Sequence, residues 1–318
     1  MIHSLKYSVI LLLFFITGCK GTLEKNTSPQ HANDIVEVNI KEPLEFAISG
    51  LHAENDSILL RVAILGDAEP KPLAEFPNMD SAVEQINALS EEFTIDFVIG
   101  VGDIAHNGTE IQYEAATQVL QKLKAPFYSI MGNEEHSSTV ERYLQYAQKW
   151  NSKITSPSYV INHDKLAIVF ASPDHGRDFN DNGAQWILDQ IQRLNPKPIV
   201  LVVHGAQKGV FPENSEKGIS NELFVEQVVS QPNLVAVISG DLHMDMDRAN
   251  HSKKIDHVHY LHIPALERTK TPDETNHTPM FRIMTFFKDD KVTVDTYAVG
   301  DYIPRKEHAY TFSLSISE

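Results

Sequence analysis

Apolar and polar positions fall in blocks along this chain of 318 residues. Five apolar runs, at 59–65, 95–101, 127–131, 198–203 and 234–239, are rich in β-branched residues, and each gives way to a short polar stretch containing Gly. Runs of this length and composition predict buried strands that deliver side chains at their C-terminal ends. Helical periodicity predicts helices at 81–91, 110–123, 139–150, 183–193 and 222–230. Further strands are predicted at 166–171, 258–263, 280–287, 291–298 and 310–316. Strands alternating with helices, followed by an all-strand C-terminal stretch, predict an α/β fold with one mixed sheet and a second sheet. Residues 51–318 make one domain's worth of elements with a large core, free of internal repeats and low-complexity runs.

The polar stretches that close the five runs are Gly66-Asp67-Ala68-Glu69, Gly102-Asp103-Ile104-Ala105-His106-Asn107, Gly132-Asn133-Glu134-Glu135-His136, Val203-His204-Gly205 and Gly240-Asp241-Leu242-His243. Open α/β sheets build their ligand crevices at the carboxyl ends of strands. Five such ends together offer Asp, Glu, Asn and His and no thiolate. That donor set suits Mg²⁺, Mn²⁺, Fe or Zn²⁺, and a bridging Asp can hold two such ions a few ångströms apart. The sequence therefore predicts a metal site.

In these five blocks the chain resembles the calcineurin-like metallophosphoesterases, a family that includes purple acid phosphatases and cyclic-nucleotide phosphodiesterases. The family pattern runs Asp-x-His, Gly-Asp-x-x-Asp/Asn/Tyr, Gly-Asn-His-Asp/Glu, a lone His after a strand, then Gly-His-x-His. The blocks appear here in that order, and the resemblance covers roughly the whole chain after residue 55. It implies two stacked mixed β-sheets flanked by helices, a four-layer α/β/β/α sandwich. It also implies a two-ion centre in which Asp103 bridges, Asp67, Glu69 and His243 complete one subsite, and Asn133, His204 and Asp241 complete the other.

Three positions depart from the family pattern. Glu69 stands for the His of Asp-x-His, Glu134 for the His of Gly-Asn-His, and Asp241 for the first His of Gly-His-x-His. Glu69 and Asp241 fall on ligand positions, and both put a carboxylate where an imidazole stood. Replacement by ligand-competent residues alone argues for a retained ion. Glu reaches about as far as an imidazole, whereas the shorter Asp241 binds directly, through a water, or not at all. Four carboxylates around two divalent ions predict a more neutralised pair that prefers Mn²⁺ or Mg²⁺, with Fe or Zn²⁺ as the other options. Glu134 occupies the position that the family assigns to the general acid. It fills that role if its neighbours raise its pKa, and His136 is the second choice; otherwise Glu134 and Glu135 are solvated loop carboxylates.

Other polar residues carry weaker signals. His106 is either a ligand or second donor at the site, or a loop His hydrogen-bonded beside Asn107. His257, His259 and His262 alternate on a predicted strand and read as strand surface near the rim of the site. Asp245 and Asp247 are either orienters of His243 or a polar loop. The segment 208–220 is either a lid or a plain surface loop.

Residues 1–18 have a short basic start (His3, Lys6), an apolar core at 9–16 and then Ile16-Thr17-Gly18-Cys19, the layout of a secretory signal ending in a lipobox. Cys19, the only cysteine, is then expected to carry lipid, with 19–50 as lipidated residue and tether and the domain in a bacterial cell envelope. A formal charge of −16 disfavours nucleic acid and anionic membrane as partners, leaving membrane contact to the lipid anchor. The expected function is hydrolysis of a small-molecule phosphate mono- or diester by attack of a hydroxide held between two ions. The rival is a binding or structural lipoprotein on the same scaffold that does no chemistry.

Overall fold

A computed structural model describes residues 43–48, 52, 54–214 and 216–315. The predicted signal segment, Cys19 and the tether up to residue 42 lie outside the described residues. The first strands are β1 (Glu45–Ala47), β2 (Ile58–Leu65), β3 (Phe97–Gly100), β4 (Phe127–Ser129), β5 (Tyr159–Asn162) and β6 (Ala167–Ala171). They are followed by β7 (Ile199–Val203), β8 (Leu234–Ser239), β9 (Ser252–Ile255), β10 (Val258–His262), β11 (Met280–Phe287), β12 (Lys291–Ala298) and β13 (Tyr310–Ser313). The α-helices are α1 (Pro77–Leu89), α2 (Glu110–Leu120), α3 (Val140–Trp150) and α4 (Asp181–Arg193).

The strands form two mixed sheets. One has seven strands in the order β1-β5-β6-β7-β8-β10-β9, the other six in the order β13-β12-β11-β2-β3-β4. The main strands read as continuous apolar runs because both of their faces are buried. In β7, Val200 and Val202 pack into the core between the sheets, while Ile199, Leu201 and Val203 pack with Ile187, Leu188 and Ile191 of α4. In β2, Leu60, Val62 and Ile64 face the inter-sheet core, while Ala63 and Leu65 meet Met79, Val83 and Ile86 of α1. Each fully buried aliphatic side chain of this kind contributes about 1.5–3 kcal/mol, so all four layers are held by the same period-2 alternation.

The differences from the sequence prediction have local causes. β1 lies inside the segment assigned to the tether, where it pairs in parallel with β5, so the domain starts before residue 51. Strands as short as β1, β5 and β9 leave little periodic signal. α1 begins at Pro77 rather than 81, since Pro's fixed φ and missing N–H suit a first helical turn. The Glu267 carboxylate accepts the N–H groups of Asn78 (3.0 Å) and Met79 (2.9 Å) there. The helix predicted at 222–230 contains a π-helical turn at Phe224–Val228. His262 is fully buried rather than on a strand surface, and burial holds its pKa well below the usual imidazole range.

Candidate metal centre

Asp67 and Glu69 follow β2, Asp103 follows β3, and Asn133 lies beyond β4, all from the six-stranded sheet. His204, Asp241 and His243 follow β7 and β8 of the other sheet. The fold brings all seven predicted ligands together where these strand ends meet. Three groups of donors converge, Asp67–Asp103–His243, Asp103–His204–Asp241 and Glu69–Asp103–Glu134, with ligand atoms within 4.8 Å of one another in each; Asp103 is common to all three.

The backbone is strained at these positions. Asp103, Asp241 and His243 have φ of 49°, 70° and 46°, left-handed values that cost a non-glycine residue free energy and cluster at functional sites. Gly132 has to be glycine, because a Cβ there would lie 2.2 Å from Asp103 Oδ1.

Both imidazoles are turned the same way. His204 Nδ1 donates to the Val101 carbonyl (2.9 Å) and His243 Nδ1 to the Arg268 carbonyl (2.9 Å). That leaves each Nε2 facing the cluster, the tautomer and orientation a metal ligand needs. Around His204 Nε2 lie Asn133 Oδ1 at 3.3 Å, Asp103 Oδ1 at 3.4 Å and Asp241 Oδ1 at 3.8 Å. Around His243 Nε2 lie Lys270 Nζ at 2.9 Å and Glu69 Oε1 at 3.2 Å, while Glu69 Oε2 is buried with no hydrogen-bond partner among the described residues. Donors bound about 2.1 Å from one ion sit roughly 3 Å or more from each other, so the spacings around His204 fit a divalent ion. Asp245 and Asp247 do not orient His243; Asp245 instead accepts from Asp247 N and Arg248 Nε.

Burial raises the Asp67 carboxyl to about 6 against the pull of His243 and His204. Glu69 goes the other way, to about 2, because His243, Lys270 and Arg268 more than offset its burial. The His204 imidazole is pushed well above its ordinary range, since Asp103 and Asp67 outweigh burial.

Glu134 does not have the raised pKa expected of a general acid. Burial pushes it up, but Asn107 N (2.8 Å), Lys71 Nζ (3.1 Å) and His106 Nδ1 (2.6 Å) together hold it below the usual carboxylate range. His106 is thus bonded between Glu134 and Asn107, the loop-His reading, and stands in none of the donor groups. His136 donates Nε2–H to the Pro173 carbonyl at 2.7 Å, which commits that ring to holding the loop.

Four residues at the site were invisible in the sequence. Glu135 is no solvated carboxylate: it is fully buried and accepts four backbone N–H groups. Its Oε1 takes Ile104 and Ala105, both at 2.8 Å, and its Oε2 takes Asp103 at 2.9 Å and Gly132 at 2.7 Å. Arg177 donates from Nε to Asp241 Oδ2 (2.7 Å) and from a terminal nitrogen to Asn133 Oδ1 (3.0 Å). Arg268 and Lys270 approach Glu69 Oε1 at 3.1 and 3.5 Å. Each carboxylate that replaces an imidazole of the family pattern therefore has its own cation, and its charge does not fall on bound ions alone. Two consecutive acids at 134–135 were the one available hint of Glu135; lone basic residues in loops gave none.

The chain belongs to the calcineurin-like phosphoesterase family, whose model matches residues 60–245. It is 28% identical over 127 residues to the glycerophosphodiester phosphodiesterase GpdQ of Enterobacter lignolyticus, covering 38% of this chain and 45% of that one. To the probable glycerophosphodiester phosphodiesterase GpdQ of Arcobacter nitrofigilis it is 26% identical over 113 residues, covering 34% and 41%. The chain thus spans less than half the length of either relative. Its fold is similar to that of a dimetal phosphatase from Danio rerio, with a TM-score of 0.61 and 11% identity over 81% of this chain and 100% of that one.

Proposed function

We propose that this chain is a metal-dependent hydrolase of small phosphate esters, with diesters as the first class to test. The observation that carries the reading is the pair of histidine-containing donor groups sharing Asp103, with both imidazoles presenting Nε2. They open onto a cleft of about 410 Å³ whose lining includes Asn133, Glu134, Arg177, Asp241 and Lys270. The names of the partial relatives support the diester choice. Oxygen-rich donors favour Mn²⁺ or Mg²⁺.

Asp103, Asn133, His204 and Asp241 are the residues that would hold a divalent ion, with Asp67, Glu69 and His243 as the donors of the family's other subsite. An ion held by Asp103, Asn133, His204 and Asp241 would supply a water acidic enough to lose its proton near neutrality and positive charge for a phosphoryl oxygen. Arg177, one-third exposed and lining the cleft, offers a guanidinium to the remaining phosphoryl oxygens. Glu134, its carboxylate held by Asn107 N, Lys71 Nζ and His106 Nδ1, lines the cleft as a hydrogen-bond acceptor rather than as a general acid.

Full-length protein is expected to hydrolyse bis(p-nitrophenyl) phosphate, to lose that activity on EDTA treatment and to regain it with Mn²⁺. Absence of turnover on aryl mono- and diesters with every divalent ion tried would favour the rival reading, a binding protein, which the ion pairs at Glu69 and Asp241 also accommodate. We further propose that lipid on Cys19 holds the domain at the cell envelope, on the strength of Ile16-Thr17-Gly18-Cys19. Cys19→Ser should move the protein out of the membrane fraction or block signal processing; normal processing and unchanged partition would sink this part.

A further inference from the structure

The two histidine-containing donor groups are not equivalent, and the difference lies in one side chain. Lys270 extends its Nζ to 2.9 Å from His243 Nε2. His243 Nδ1 already donates to the Arg268 carbonyl, so Nε2 is the nitrogen open to a ligand, and the Lys270 ammonium stands against it. A ligated ion would need the Nε2 lone pair at about 2.1 Å. Lys270 Nζ also lies 3.5 Å from Glu69 Oε1, so it sits against two of the three donors that distinguish this subsite from the other, Asp67 being the third. Arg268 completes the pairing of Glu69 at 3.1 Å.

At the other subsite, among the described residues, no cation is bonded to the imidazole, although Arg177 pairs with two of the oxygen donors. His204 Nε2 faces only oxygen atoms, those of Asn133, Asp103 and Asp241 at 3.3, 3.4 and 3.8 Å. Arg177 there binds Asp241 through Oδ2 and leaves Oδ1 turned toward His204. It touches Asn133 Oδ1, but a carbonyl oxygen has a second lone pair for an ion.

We propose that the Lys270 ammonium takes the place of one of the two ions, so that the chain holds a single divalent ion, in the subsite of Asp103, Asn133, His204 and Asp241. Glu69 is the matching change. An imidazole would give Lys270 no negative partner, whereas a carboxylate buried beside an ammonium forms a paired charge that needs no ion. A monovalent cation on a flexible stem carries half the charge of a divalent ion and offers no open coordination position. Any water activation then belongs to the His204 subsite, with Lys270 limited to charge and hydrogen bonding toward a phosphoryl oxygen. The ion count stands on geometry alone and holds whether or not the protein turns over a phosphate ester.

The test uses the full chain stripped with EDTA and dialysed to equilibrium against Mn²⁺. Bound Mn²⁺ is counted by elemental analysis, and electron paramagnetic resonance separates isolated ions from exchange-coupled pairs. Wild type should hold one Mn²⁺ per chain with an uncoupled signal. Lys270→Met, similar in length but uncharged, should hold two and show coupling. In the wild-type background His204→Ala should drop the count to zero, while His243→Ala should leave it at one. Two coupled ions in wild type would overturn the proposal. So would no bound ion, loss of the ion in His243→Ala, or a Lys270→Met protein that is folded by circular dichroism and still holds one. The wild-type and histidine measurements decide the matter even if Lys270→Met fails to fold.

Discussion

Asp103→Asn is expected to lower phosphoesterase activity by about a thousandfold, a loss of about 4 kcal/mol in transition-state stabilisation, with the fold intact. Asp103 is the one residue common to all three convergent donor groups. Its Oδ1 lies 3.4 Å from His204 Nε2 and also accepts the Glu134 N–H at 2.8 Å. Asparagine keeps the size and one carbonyl oxygen but removes the negative charge and the second acceptor. The backbone tolerates the change, since a φ of 49° suits Asn as well as Asp, whereas Ala would add strain. The substitution therefore separates chemistry from folding. Rates on bis(p-nitrophenyl) phosphate, Mn²⁺ content and far-ultraviolet circular dichroism together check it. Activity within tenfold of wild type at unchanged ion content would show that the shared carboxylate does not carry the chemistry.

The places where sequence reading succeeded share a physical cause. Strands buried on both faces, such as β2, β7 and β8, have to be apolar throughout, and the chain has to leave them through small or polar residues. Asp67, Asp103, His204 and His243 therefore stood out at the ends of apolar runs. What stayed hidden depends on contacts between distant segments. Glu135 is separated from the Asp103 amide by 32 positions, and nothing in Glu134-Glu135 says which side chain turns inward. Whether its neighbours raise or lower the Glu134 pKa could not be read from the sequence, because the Asn107 N–H and Lys71, which hold it down, lie 27 and 63 positions away. Lys270 reaches Glu69 across 201 positions, so a sum of carboxylates along the sequence counted the acids and missed the cations beside them. β1 went unseen because three residues are too few to show a period.

Glu135→Gln should destabilise the folded protein by about 3 kcal/mol, a larger effect than any exposed carboxylate at the site would give. Four backbone N–H groups converge on the two oxygens of Glu135, from Asp103, Ile104, Ala105 and Gly132. Only an ionised carboxylate offers acceptors at both ends. A glutamine turns its NH₂ toward one pair of donors, leaving two buried N–H groups unpaired at about 2 kcal/mol each. Some of that loss is offset, because burial and the neighbouring Asp103 already make the Glu135 charge costly, raising its carboxyl to about 7. The same bonds tie the Asp103 turn to the Gly132-Asn133 turn, so the variant should also bind Mn²⁺ more weakly although no ligand has changed. Urea unfolding well above pH 7, where the Glu135 carboxyl is ionised, measures the first effect and Mn²⁺ titration the second. Glu134→Gln is the control: its carboxylate is held by Lys71, His106 and Asn107 at the cleft edge and should cost about 1 kcal/mol or less. If the two variants unfold at the same urea concentration, the four-bond clamp is not what holds these turns together.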